Sequence, residues 1–239
     1  MSEQMTKNNP WLNITDGKER IATIDIPFFE KWGSAAEYAN IINGKNKETE
    51  LTFHCLPEPF SGNPDSKVYC LNMNPGKPDL CFDEEINFIE ATKTNLQLKS
   101  QSCFWAEKIR NKCGKEHAGV DWLRKRTNKL EDIIGGHPDL FFIEYFPYHS
   151  SKGFDFPKNL PSYEFSNELI KKIIGKDKLI IIMREKKNWL NRVKELASHP
   201  NLYILKCCQG GYLTPNNIVR YSDGKSLSDD EIIKYFLKK

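Results

Sequence analysis

What most limits the fold of this chain is a recurrence of short apolar runs, at 68–71, 140–143, 179–183 and 202–205, each soon followed by charge, proline or glycine. Their length and their β-branched and aromatic content suit buried strands. Between them, 83–96, 102–113 and 165–174 read as helices, the last closed by Gly175. Trp189, Val193 and Leu196 then repeat at i, i+4, i+7. Strand and helix alternate four times from residue 67 onward, which predicts an α/β fold with a central four-stranded parallel sheet and helices on both faces, a three-layer αβα arrangement.

Upstream, 35–42 reads as a helix stopped by Gly44, and 51–55 as a short strand in which His54 is an exposed residue. The turn formers of 56–65 predict an ordered loop. At the other end, Ser228-Asp229-Asp230-Glu231 is a capping box, opening a helix with Ile232, Ile233, Phe236 and Leu237 on its inner face. With 239 residues and no repeat or clear linker, one domain over 1–239 is expected, with 1–50 an extension packed on it.

Composition removes several function classes. Charged residues make up 28% and apolar ones 39%, so the chain reads as globular rather than disordered. The longest aliphatic run, 179–183, is too short to span a bilayer, and residues 1–7 lack the apolar core of a signal peptide. No membrane association and a cytoplasmic setting are expected. A formal charge of only +3 means that nucleic-acid binding would need its basic residues gathered on one face. Seven cysteines, an odd count with no C-x-x-C pair, fit a reduced interior better than a disulfide framework or zinc ribbon. Cys103, Cys113 and His117 match no common metal spacing. No Walker A or G-x-G-x-x-G sequence is present, which disfavours a phosphate-cradle enzyme. Neither metal nor cofactor is expected.

Chemistry concentrates where the strands stop. The run at 68–71 leads into Asn72-Met73-Asn74-Pro75-Gly76. Pro75 ends regular structure, Gly76 allows a sharp turn, and Asn74 is held at the carboxyl end of a strand, where open α/β sheets bind ligands. A plain strand followed by a turn is the alternative. The second run leads into Glu144-Tyr145-Phe146-Pro147-Tyr148-His149-Ser150. A single acid between apolar neighbours is costly without a partner, so Glu144 is either salt-bridged or part of a site. The fourth run enters 206–218, a loop with Gly210, Gly211, Tyr212 and Leu213, either a surface turn or an apolar wedge. Phe82, Phe104 and Trp105 are core residues or the wall of a base pocket. Arg124-Lys125-Arg126 with Lys129 reads as a solvated helix face.

Taken together, these stretches resemble the uracil-DNA glycosylase superfamily over roughly residues 50 to 220. The first, Leu71 to Gly76, is similar to the first motif of its single-strand-selective and mismatch-specific branches. Phe142 to Tyr148 is similar to the segment that carries the base-reading residue, and Lys206 to Asn217 falls where the family's last loop enters the DNA minor groove. The segment Leu56 to Gly62 also resembles a bacterial glycosylase-like subgroup. The chain departs from the pattern at Asn72 (for Gly), at Glu144 (for the base-reading Asn) and at Cys207-Cys208-Gln209, where the family has a histidine motif.

The resemblance implies a monomeric DNA N-glycosylase that extrudes a nucleotide and hydrolyses its base–sugar bond. Asn74 would orient the water, with Gln209 or His149, or Lys206 or backbone N–H groups, standing in for the missing histidine. Asn72, Met73, Pro75, Gly76, Phe82 and Glu144 would bind the base. Lys152, Arg184, Lys186, Lys187, Lys206, Gly210, Gly211, Tyr212, Leu213 and Asn217 would contact DNA. An ionised Glu144 only accepts hydrogen bonds, which suits an amino-bearing or modified base better than uracil. A non-catalytic nucleic-acid or protein-binding module on the same fold is the alternative, and an unrelated α/β enzyme acting on nucleosides a third.

Overall fold

The computed structural model describes residues 8–14, 20–31, 51–77, 82, 85–111, 114–150 and 157–238. The helix expected over 35–42 and Lys152 lie outside them. The elements follow in order: α1 (Ile26–Lys31), β1 (Leu51–Thr52), β2 (Phe60–Gly62), β3 (Val68–Asn72), α2 (Ile86–Leu96), α3 (Ala118–Ile134), β4 (Leu140–Glu144), β5 (His149–Ser150), α4 (Tyr163–Lys171), β6 (Leu179–Ile182), α5 (Lys186–Arg192), β7 (Leu202–Leu205), β8 (Ile218–Arg220) and α6 (Asp229–Phe236). Among the described residues no helix is long and apolar enough to cross a membrane.

The main sheet has six strands in the order β2-β4-β3-β6-β7-β8. Neighbours among β4, β3, β6 and β7 pair parallel, while β2 and β8 add antiparallel edges. The sheet is therefore mixed and six-stranded, not the four-stranded parallel sheet expected. The two edges escape a reading by periodicity because each is three residues long. The stretch 56–65, expected as loop, contains β2. There Gly62 sits at φ +105°, and a Cβ on it would lie 2.2 Å from the Leu140 carbonyl oxygen, so only glycine lets β2 close on β4.

Alternating strand residues feed two cores. Tyr69, Leu71, Phe141, Ile143, Ile180 and Ile182 pack with Leu169 and Ile170 of α4 and Trp189 of α5. Val68, Cys70, Leu140, Phe142, Leu179 and Ile181 pack on the other face with Leu123 and Leu130 of α3 and Ile232, Tyr235 and Phe236 of α6. Every residue of β3 and β6 is buried, so these strands read as unbroken apolar runs rather than alternating ones.

Two helix expectations need correction. Of the helix expected over 102–113, the described residues 102–111 form turns and irregular chain instead: Cys103 and Phe104 enter one core while Ala106 enters a smaller one with Phe82, Phe88 and Val120. The long helix on that side is α3 instead, capped by the His117 side chain and closed by Gly135 at φ +71°. The capping box of α6 forms as expected, but its buried residues are Ile232, Tyr235 and Phe236, whereas Ile233 and Leu237 are exposed.

Candidate functional site

From β3 the chain runs out to β4 on one side and returns to β6 on the other. Open α/β sheets place ligands beyond the strand carboxyl ends at such a reversal. Here a cavity of about 460 Å³ opens there, a size that suits a small organic ligand. Asn72 to Gly76, Glu144, His149 and Arg184 all line it, together with Phe142 and Trp122.

Pairing register builds the floor. Asn72 and Glu144 are opposed as the last residues of β3 and β4, so their side chains leave the sheet on one face. Asn72 Nδ2 donates to Glu144 Oε1 at 3.1 Å. Glu144 Oε2 is buried and, among the described residues, has no hydrogen-bond partner. The salt bridge allowed for Glu144 in the sequence is not what holds it. Burial pushes the carboxyl up to about 8, aided by the nearby Glu58 charge and opposed by the Asn72 bond and Arg184.

The strands stop but their backbones stay joined. Tyr145 N–H donates to Asn72 O at 3.2 Å and Phe146 N–H to Met73 O at 2.8 Å. This carries Ser150 to Asn74, whose Nδ2 donates to Ser150 Oγ at 2.9 Å and to Pro75 O at 2.7 Å. With Nδ2 engaged, Oδ1 is the atom of Asn74 that can accept from a bound water. The His149 ring is held too: Nδ1 lies 3.0 Å from Gly76 O and Nε2 3.6 Å from Glu58 Oε1. It braces the turn after Asn74.

Other sequence candidates lie elsewhere. Phe82 is fully buried in the small core with Phe88 and does not line the cavity. Gln209 reaches the site only through its backbone, its carbonyl accepting from Arg184 Nη2 at 3.0 Å. Gly210, Gly211, Lys187, Lys206 and Asn217 also stand outside the lining. Asn217 instead clips the last loop, bonding Cys207 N–H, Cys207 O and Tyr212 O. Leu213 is fully buried and Tyr212 is 49% exposed, so the loop's exposed apolar tip is Tyr212 alone. Tyr212 folds over Gly210, where a Cβ would meet its ring at 2.2 Å.

The sequence reading missed what joins this loop to the cavity. Trp122, in the cavity wall, lies under the Arg126 guanidinium at 4.7 Å, and Arg126 lies over Tyr212 at 5.5 Å. Leu213 N–H donates to Arg126 O at 2.9 Å. Trp122 and Arg126 are one helical turn apart, so the i, i+4 spacing in α3 was the available signal. It was hidden within a run read as solvated charge. Glu58 and Ser150 were missed as well, because only pairing beyond the sheet brings them to Asn74 and His149. Comparison with family models, with curated proteins and with solved structures finds no match for this chain.

Proposed function

We propose that the cavity receives a single nucleobase and that the chain is a DNA N-glycosylase-like hydrolase, of the three-layer type that its strand-end motifs resemble. The observation that carries this is convergence. Asn74, Glu144 and the ring of Trp122, distant in sequence, line one cavity beyond the ends of parallel strands. Trp122 and Phe142 meet at 70°, so a base stacks on one of these rings and meets the other at its edge, while Glu144 meets its polar edge. Asn74 Oδ1 then accepts from a water set against the sugar carbon. The water oxygen bonds to that carbon, and the carbon–nitrogen bond breaks with its electron pair leaving on the base. The water's proton goes to the base or to solvent. An amide is too weak a base to take that proton, so Asn74 serves by orientation. Arg126, Arg184 and Tyr212, at the rim, suit phosphate and base contacts of a DNA strand, in a reduced cytoplasmic setting.

A second reading, a base-binding module without catalysis, is favoured by one observation. Both ring nitrogens of His149 face protein oxygens, so this histidine is already engaged. Release of base from oligonucleotides carrying uracil, hypoxanthine or modified cytosines separates the two. A glycosylase releases at least one base, and Asn74→Ala lowers that rate by about a hundredfold or more while binding persists. Binding without release supports the module. Neither binding nor release removes both readings, and hydrolysis of free nucleosides alone points to a nucleosidase.

A further inference from the structure

We propose that Glu144 meets the ligand as a carboxylic acid, and that its protonation state sets which class of base the cavity takes. A base presenting a ring carbonyl is taken when Glu144 is neutral, and one presenting an exocyclic amine when it is ionised. This rests on the base-binding reading above and deepens it.

The geometry assigns the proton. Oε1 accepts from Asn72 Nδ2, so it is the carbonyl-type oxygen of the acid. Oε2, buried and without a partner among the described residues, is the atom left to carry the hydrogen. A hydroxyl there donates to a carbonyl oxygen. The same atom, once ionised, only accepts, which repels a carbonyl and suits an amine. An unsatisfied buried polar atom is costly, and a ligand supplying its complement removes that cost. The amino-base preference expected from an ionised Glu144 thus becomes the alkaline half of a two-state reader.

The surroundings favour the neutral form. Burial is the largest influence and raises the carboxyl to about 8. Among the described residues, the titratable groups facing it are Glu58 before β2, Cys70 on β3 and Arg184 after β6, with His149, Lys77, His117 and Cys103 around the cavity. The Asn72 bond and, less strongly, Arg184 pull toward ionisation, and Arg184 Nη2 is also engaged by Gln209 O. When the carbon–nitrogen bond of a bound nucleotide breaks, negative charge gathers on the base oxygen, where a neutral acid donor stabilises it.

The test is calorimetric binding of 1-methyluracil and 1-methylcytosine to the whole protein between about pH 6 and pH 9, with the Glu144 carboxyl followed by carbon-13 NMR. The expected preference is about tenfold or more for 1-methyluracil at the acid end. It should fall by about tenfold or reverse across the carboxyl's titration. Glu144→Gln, a donor and acceptor at every pH, should bind with a ratio that does not change. A constant ratio in the native protein, or a preference for 1-methylcytosine at the acid end, overturns the proposal and leaves the base pocket standing. No binding of either base overturns both. The native pH series and the NMR titration decide the matter even where the variant fails to fold.

Discussion

The carboxyl ends of β3 and β4 and those of β6 and β7 lie along one edge of one sheet, yet they are built in opposite ways. The first pair ends in polar side chains held inside the protein: Asn72 against Glu144, Asn74 against Ser150, and Trp189 Nε1 donating to Asn72 O at 2.9 Å. The second pair ends in a loop whose polar side chains, Lys206 and Gln209, are exposed and whose shape is set by Asn217 and by Arg126. Groups fixed from within can be kept at costly protonation states and aimed at a reacting atom. Groups at an exposed rim are screened by water and salt, so they contribute contact area and charge. The chemistry proposed belongs to the first pair and the grip on a larger substrate to the second.

The largest expected effect tests whether the β3–β4 end is as costly as its burial implies. Glu144 sits near 8 when folded against an ordinary 4.5, so the folded protein keeps a proton that the unfolded chain has released. Its stabilising effect is full below about pH 4.5 and is lost as pH rises through 8. At about 1.4 kcal/mol per pH unit, the native protein should lose about 3–5 kcal/mol relative to Glu144→Gln across that window. Asp25, also raised by burial, is common to both proteins and cancels in the difference. Urea unfolding of both at several pH values measures it, and parallel pH curves would show that the carboxyl is not strained. A smaller effect is expected at Trp189. Trp189→Phe keeps an aromatic ring beside Tyr145 but leaves Asn72 O, among the described residues, with its Tyr145 N–H bond alone. About 1–2 kcal/mol of stability should go, and the Asn72 amide resonances should shift, while changes at Cys207 to Tyr212 should be negligible.

The same contrast separates what the sequence discloses from what it hides. The strands 68–71 and 140–143 were legible because burial on both faces leaves an unbroken apolar run. Asn74 and Glu144 could be singled out as candidates because each is a polar residue following such a run, with a plain turn and a salt bridge as their structural alternatives. Their meeting was not legible, since it depends on a register that pairs Asn72 with Glu144, and no local pattern encodes that choice. The α3 helix was obscured because its exposed face carries Arg124-Lys125 and Lys129, while its buried positions Val120, Leu123, Thr127 and Leu130 are sparse. The stretch 102–111 misled in the opposite direction: Cys103 and Phe104 serve one core and Trp105, Ala106 and Ile109 another, so their spacing reflects the path of the chain rather than a helix. The wedge weighed against a surface turn at Tyr212-Leu213 is halved, because Leu213 supplies core contact under the loop.

That half-wedge gives the smallest effect and the sharpest contrast with Glu144. Tyr212 rests against Arg126 and is 49% exposed, so Tyr212→Ala removes only the half of its surface that is buried and should cost about 1 kcal/mol of stability or less. If the rim grips a strand while the interior does the chemistry, the loss appears in affinity. Stacking of one base on an aromatic ring is worth about 1–3 kcal/mol, and the lower part of that range suits a ring already in contact with Arg126. Binding of a single-stranded oligonucleotide, followed by fluorescence anisotropy, should therefore weaken about fivefold, with the same salt dependence, because no phosphate contact is lost. Single-turnover base release at saturating DNA should be unchanged. A drop in that rate with affinity intact would place Tyr212 with the chemistry and dissolve the division between the two ends of the sheet edge.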